Sequence, residues 1–313
     1  VERYEHLEGY ELSGCAVRRR NIISFWGQKW DNPDPLDVRP TRVFFFYPDK
    51  PEERRWGFRE PGDTRGFRGC GVTVPEERWV FVADDGEVYV VGGGVDAFEE
   101  PITSKPFSFF SNVKRVPPGR AVAVGPRRKA FVREGPDVWR QLAAGLFPQG
   151  DQTNLDSAGF SDVDGFSESD IYACGGRGDL WHFDGNVWTQ VDLPTNDNLW
   201  RLCCARDGRV YVITGRRAIL AGRDQSWTVV TQDLTDEHLE SIVDYEGKVI
   251  ISTQSALFEM AGDVFQPASL GDIPPMRSRS FLAVGDGILV VAGSRDACSF
   301  DGTTWSVIIP SVA

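Results

Sequence analysis

Little in this chain of 313 residues suits it to a metal, a membrane or a nucleic acid. Its three histidines (His6, His182, His238) lie far apart, and its six cysteines (Cys15, Cys70, Cys174, Cys203, Cys204, Cys298) show no Cys-x-x-Cys or other ligand spacing. Neither a metal centre nor a disulfide framework is therefore expected. Most of the cysteines fall in apolar stretches and read as buried free thiols of a reducing compartment. No apolar run approaches the roughly 20 residues needed to cross a bilayer, and the opening VERYEHLEGY has no secretory apolar core. A cytoplasmic protein is expected, with an exported mature form as the alternative. Positive charge is in deficit: 34 Lys and Arg stand against 46 Asp and Glu, a net charge of -12. Non-specific nucleic-acid binding, which needs a basic surface to displace counterions, is thereby excluded. The glycine clusters at 92–94 and 175–176 neither open a helix nor carry a Gly-Lys-Ser/Thr ending, so they read as turns. Ser167 and Ser169 have no histidine motif around them. With no acid, base, nucleophile or cofactor loop in place, we expect a non-enzyme without cofactor or metal.

What the chain does contain is a repeat of about 40 residues. Its best copies, DIYACGGRGDLWHFDGNVW (170–188) and ILVVAGSRDACSFDGTTW (288–305), join short apolar strands and close on Asp-Gly and Trp. Hairpin turns at Gly86, Gly119, Ser169, Gly208, Gly247 and Gly287 recur between apolar runs, because Asp-Gly and Glu-Gly accept positive φ cheaply. A third strand follows each turn, and a fourth opens on an aromatic that is expected to pack between neighbouring units. Four strands per unit make a propeller blade. The expected fold is all-β, a single β-propeller over 1–313 with no linker dividing it. Blades end near Trp56, Phe107, Trp139, Trp188, Trp227, Phe265 and Trp305, which makes seven, with six as the alternative. The second blade is taken to start near Trp79, with a three-stranded unit possible at the short junction after Phe107. The last unit completes its own fourth strand by Ile309, which implies closure by packing of whole blades, with 1–9 as a candidate edge strand.

In such a blade the turns between the second and third strands share one face with the connections between blades. Those turns carry Arg127 and Arg128, Arg177, Arg216 and Arg217, and Arg295. Acidic turns with Asp84, Asp85, Glu87, Asp244 and Glu246 are assigned to the opposite face, giving an electrically two-sided molecule. Two insertions, 27–40 and 143–159, also fall on the arginine face, where loops on a rigid scaffold usually carry binding determinants. The plain alternative is that the arginines pair with Asp96, Asp179, Asp197, Asp233 and Asp296 in surface ion pairs worth about 0 to 1 kcal/mol each.

The repeat units resemble the broad superfamily of bacterial WD40/YVTN/BNR-like propellers, with some similarity to tectonin-type repeats. The resemblance spans nearly the whole chain and specifies architecture. The sialidase-type Asp box, Ser-x-Asp-x-Gly-x-x-Trp, is departed from here: the segments 299–305 and 183–188 lack the residue between Asp and Gly. Two functions from different classes follow. One is a non-catalytic interaction propeller that grips a protein partner through the arginine face, as a scaffold or as an immunity or inhibitor protein acting on a basic toxin. The other is a glycan-directed propeller, lectin or glycosidase. In that reading the arginines would hold a sugar carboxylate while Trp26, Trp30 or Trp200 stacks on a ring, and rim acids such as Asp31, Asp156, Asp197 and Asp236 would supply a catalytic pair. The interaction reading is favoured because nothing in the sequence looks like a placed catalytic group.

Overall fold

Alternating apolar positions and frequent glycine turns produce short antiparallel strands that cannot bury both faces alone. The computed structural model describes residues 2–30, 40–62, 66–102, 109–146, 159–231 and 234–311. It shows seven four-stranded antiparallel sheets, each ordered along the chain. The innermost strands are Tyr10–Arg19, Phe67–Val72, Asn112–Val116, Phe160–Ser167, Leu199–Cys204, Ser241–Tyr245 and Phe281–Gly285. Each touches the next around a closed ring, with the last against the first. The fold is thus a seven-bladed β-propeller. Its apolar core is distributed over seven clusters, most of them built from two adjacent blades.

The repeat motif has a structural job. Asp184 accepts hydrogen bonds from the backbone N–H groups of Asn186 and Val187, and Asp301 from those of Thr303 and Thr304. Each closes a turn and delivers the following tryptophan against the neighbouring unit. Trp188 Nε1 donates to the Leu142 carbonyl at 3.1 Å and Trp305 Nε1 to the Leu270 carbonyl at 2.6 Å, both groups lying in the connection from the preceding blade. The backbone bonds of Thr304 and Thr303 hold the Asp301 carboxyl well below the usual range.

Blade 2 departs from expectation. Its first strand is Phe67–Val72, its fourth is Val95–Glu99 with Phe98, and Phe107 lies outside the described residues. The segment FRGCGV conceals a strand because two of its positions are glycine. A Cβ on Gly69 would come within 2.4 Å of the Phe81 ring on the next strand of blade 2, and one on Gly71 within 2.6 Å of Arg18 of blade 1, so close packing within blade 2 and against blade 1 requires them. Shifting the blade by one strand moves Asp84, Asp85 and Glu87 to a turn between second and third strands, on the arginine face. Only Asp244, near the end of the strand Ser241–Tyr245, and Glu246, in the turn to Lys248–Ser252, stay opposite. The simple two-sided charge pattern therefore does not hold.

Closure needs no exchanged strand. Trp305–Ile309 completes blade 7, and Glu2–Leu7 forms a 3-10 helix in place of an edge strand. Blades 1 and 7 share a core that includes Val17, Phe25, Ala283 and Val290, and the Leu12 N–H donates to the Ser294 carbonyl at 2.7 Å. Inside the ring, fully buried Asp162 ties three blades together. It accepts from Asn112 Nδ2 at 2.7 Å, Lys114 Nζ at 2.8 Å and the Leu202 N–H at 2.9 Å. Burial alone would lower the Lys114 ammonium, but the Asp162 and Asp164 charges overcome it and hold Lys114 above its ordinary value.

Candidate interaction face

The turns joining second to third strands place the ring arginines as expected, at a conformational cost. Arg127, Arg128, Arg177 and Arg217 have φ of 59, 53, 55 and 65°, in the left-handed region that favours glycine. Each such placement costs on the order of 1 kcal/mol for a residue with a Cβ. The same φ recurs at Asp137, Asp224, Glu246 and Asp286 in turns of the opposite face, so it marks tight hairpins throughout the propeller.

The side chains then divide. Arg128 is not a surface group: it is 3% exposed, and its Nε and Nη2 each donate to Asp179 at 2.9 Å while the guanidinium lies 4.5 Å from the Trp181 ring. A third bond reaches the Leu146 carbonyl at 3.2 Å, so Arg128 welds the turns of blades 3 and 4. Trp26, expected as a stacking platform, is also withdrawn, being 5% exposed and set edge-on to Phe81 in the seam of blades 1 and 2. Its position on the second strand of blade 1, against glycines 14 and 69 of the inner strands of blades 1 and 2, draws the indole inward.

The remaining groups are outside. Arg216 is 84% exposed and pairs at 3.1 Å with Asp197. Arg217 donates to the Asp236 carbonyl at 2.6 Å. Arg295 bonds Glu11 at 2.9 Å and lies 4.7 Å over the ring of half-exposed Trp30. Arg127 is partly exposed beside Pro126. Arg177 is exposed, and among the described residues its guanidinium has no hydrogen bond or ion pair; its backbone N–H donates to Asn198 Oδ1 at 2.9 Å. Self-pairing thus accounts for Arg216 with Asp197 and for Arg128 with Asp179. Asp96 instead meets Arg59 and Tyr89, and Asp296 accepts from the Arg277 N–H. Asp31, Asp156 and Asp233 lie outside the described residues, as do most of both insertions.

These contacts create one concentrated patch at the seam of blades 4 and 5. Trp200, 51% exposed at the start of the fifth inner strand, stands beside Gly215, with Arg177 and Arg216 in the two flanking turns. Asn198 and Asp197 fix both turns, since the Gly215 N–H donates to Asn198 and the Gly178 N–H to Asp197 through backbone carbonyls. Exposed Trp and Arg on rigid turns are the residue types that dominate protein interfaces. Phe109, half exposed in the connection to blade 3, adds an apolar group on the same face that the sequence did not mark.

Sequence reading also missed the centre of the face. The inner strands surround a cavity of about 700 Å³ whose walls include Arg68, Lys114, Arg115 and Arg201. Arg68 stands in the strand hidden by glycines, and Arg201 follows Trp200 at a bulge. Neither has a repeat counterpart that would have signalled it. The cysteines are free, with five buried, and burial pushes the thiols of Cys70 and Cys298 up to about 12.

No protein-family model matches the chain. Among solved structures, it is similar to virginiamycin B lyase from Staphylococcus aureus, with a TM-score of 0.71 at 9% identity over 93% of this chain and 94% of that one. It is also similar to the WD40 propeller domain of Doa1, with a TM-score of 0.64 at 12% identity over 91% and 90% of the two chains. At such identities these likenesses show the propeller fold alone. In sequence, the chain is 32% identical over 241 residues to the immune protein Tsi7 of Pseudomonas aeruginosa, covering 76% of this chain and 78% of that protein. With a third of the aligned residues shared over most of both lengths, this seven-bladed propeller belongs to the family of the immune protein Tsi7.

Proposed function

We propose that the protein is a non-catalytic immunity propeller that neutralises a toxin by binding it on the arginine-bearing face. The observation that carries this reading is the 32% identity to a protein named for immunity. The choice of face rests on the seam patch of Trp200, Arg177 and Arg216, with Arg127 on the neighbouring rim and Trp30 with Arg295 across it. The net charge of -12 favours long-range approach of a basic partner, an effect that acts on association rate and specificity more than on final affinity.

The glycan reading is the weaker of the two. It loses Trp26 to the core, and Asp197 is already engaged by Arg216. No observation favours it over a protein partner.

The test is affinity capture from source-cell lysate with wild type and with the Arg127→Ala/Arg177→Ala/Arg216→Ala variant. A stoichiometric protein should be held by the first and lost by the second. That protein should arrest growth when expressed alone and be harmless when the propeller is co-expressed. Equal capture by the triple variant would sink the assignment of the face, and a captured protein without toxicity would sink the immunity reading.

A further inference from the structure

Arg68 and Arg201 belong to blades 2 and 5, which face each other across a ring of seven, and both line the same central cavity. Each sits near the start of its inner strand, opposite the end of the second strand: Arg68 pairs in register with Val82 and Arg201 with Ile213. That height is the mouth of the channel on the arginine face. Their donors are largely unused. Arg68 Nη1 donates to the Phe67 carbonyl at 3.0 Å and approaches Asp84 only to 3.9 Å, while Arg201 Nη1 donates to the Trp200 carbonyl at 2.9 Å. Burial and the facing Arg201 charge push the Arg68 guanidinium below its ordinary value, with Asp84 opposing them. Two guanidinium groups that feel each other's charge across an open channel leave a place where a negative group relieves both.

We propose that Arg68 and Arg201 hold a multivalent oxyanion, of the phosphate or carboxylate class, across the mouth of the central channel. A guanidinium offers several N–H donors in a planar fork suited to such oxygens. Deeper in the channel Lys114 is matched by Asp162 and Arg206 by Asp244 and Glu246, and Asp164 stands against Arg115 among the lining residues, so the ligand stays at the mouth. Glu240, on the wall of blade 6, and Asp84, 3.9 Å from Arg68, repel an anion that strays from the line between the two arginines. The site does not depend on the toxin-binding reading.

Inorganic phosphate and citrate are the probes, titrated into the purified protein by calorimetry at constant ionic strength set with sodium chloride. Tryptophan fluorescence gives a second readout because Trp200 adjoins Arg201. Saturable binding is expected, weakened at least about tenfold in Arg68→Gln and in Arg201→Gln, a loss of the size of one charge-assisted contact. Arg68→Lys and Arg201→Lys, which keep the charge, should recover part of it, and Arg177→Gln, outside the channel, should leave it unchanged. Thermal midpoints equal to wild type establish that the variants fold. Absence of saturable binding by both anions, or equal affinity in wild type and both Gln variants, overturns the proposal.

Discussion

At the scale of single residues, two arginines from equivalent turns have opposite uses. Arg177 sits at φ 55° and ψ 41° with an unengaged guanidinium. Asparagine accepts that conformation more readily, so Arg177→Asn should leave stability equal or raise it by about 1 kcal/mol, while weakening partner binding. Denaturant titration beside a binding assay checks both signs, and a clear loss of stability would mean the side chain has a structural role. Arg128→Ala should do the reverse. It strands Asp179 as a buried unpaired charge and should cost about 3 to 5 kcal/mol, visible as a fall in denaturation midpoint. Both arginines follow a Gly-rich or Pro-containing turn in the sequence. Only the depth of the neighbouring blade separates them.

At the scale of elements, the 3-10 segment Glu2–Leu7 packs against blade 1, with Leu7 on the core that blades 1 and 7 share. The His6 ring lies 4.9 Å from Trp56 and 6.1 Å from Phe44, with Nε2 buried and unbonded. Burial first, and the Arg42 charge second, lower the His6 pKa. The unfolded chain therefore takes up the proton before the folded one does. In the window from about pH 6.5 down to the lowered value, the unfolded state binds more protons, so this contribution to stability is lost as pH falls. Wild type should lose stability relative to His6→Phe between pH 7 and pH 5, as measured by urea midpoints at each pH. A constant difference between the two proteins would show that the His6 pKa is the same in the folded and unfolded chain. The glycine-bearing strand Phe67–Val72 teaches a related lesson: an element can exist because it lacks side chains, and periodicity of apolar residues is then silent.

At the scale of the whole molecule, the ring closes through a shared apolar core and contacts such as Arg295 with Glu11, without an exchanged strand. Pro310, just past the last strand of blade 7, and Gly9, just before the first of blade 1, thus border the same seam. A circular permutant that keeps the Glu2–Leu7 helix, joins Val1 to Ala313 by a short linker and opens at Gly262, an exposed turn with open space around its Cβ position, should fold. Its thermal midpoint should stay within about 5 °C of wild type, a shift that corresponds to roughly 1 to 2 kcal/mol for a large domain. Failure to fold would show that chain order at the seam is needed for closure. The permutant should also retain phosphate binding, since Arg68 and Arg201 are untouched.

The sequence by itself determined the fold class, the repeat spacing and the face on which Arg127, Arg177, Arg216, Arg217 and Arg295 stand, while the choice of seven blades over six came from the structure. These follow from local rules: turn chemistry, strand period and the alternation of faces along a four-stranded sheet. Tertiary structure alone decided that Trp26 and Arg128 are buried and that Arg68 and Arg201 line one channel from opposite blades. Each of those depends on which blades lie side by side or opposite in the closed ring, and contacts between distant segments leave no local pattern in the chain.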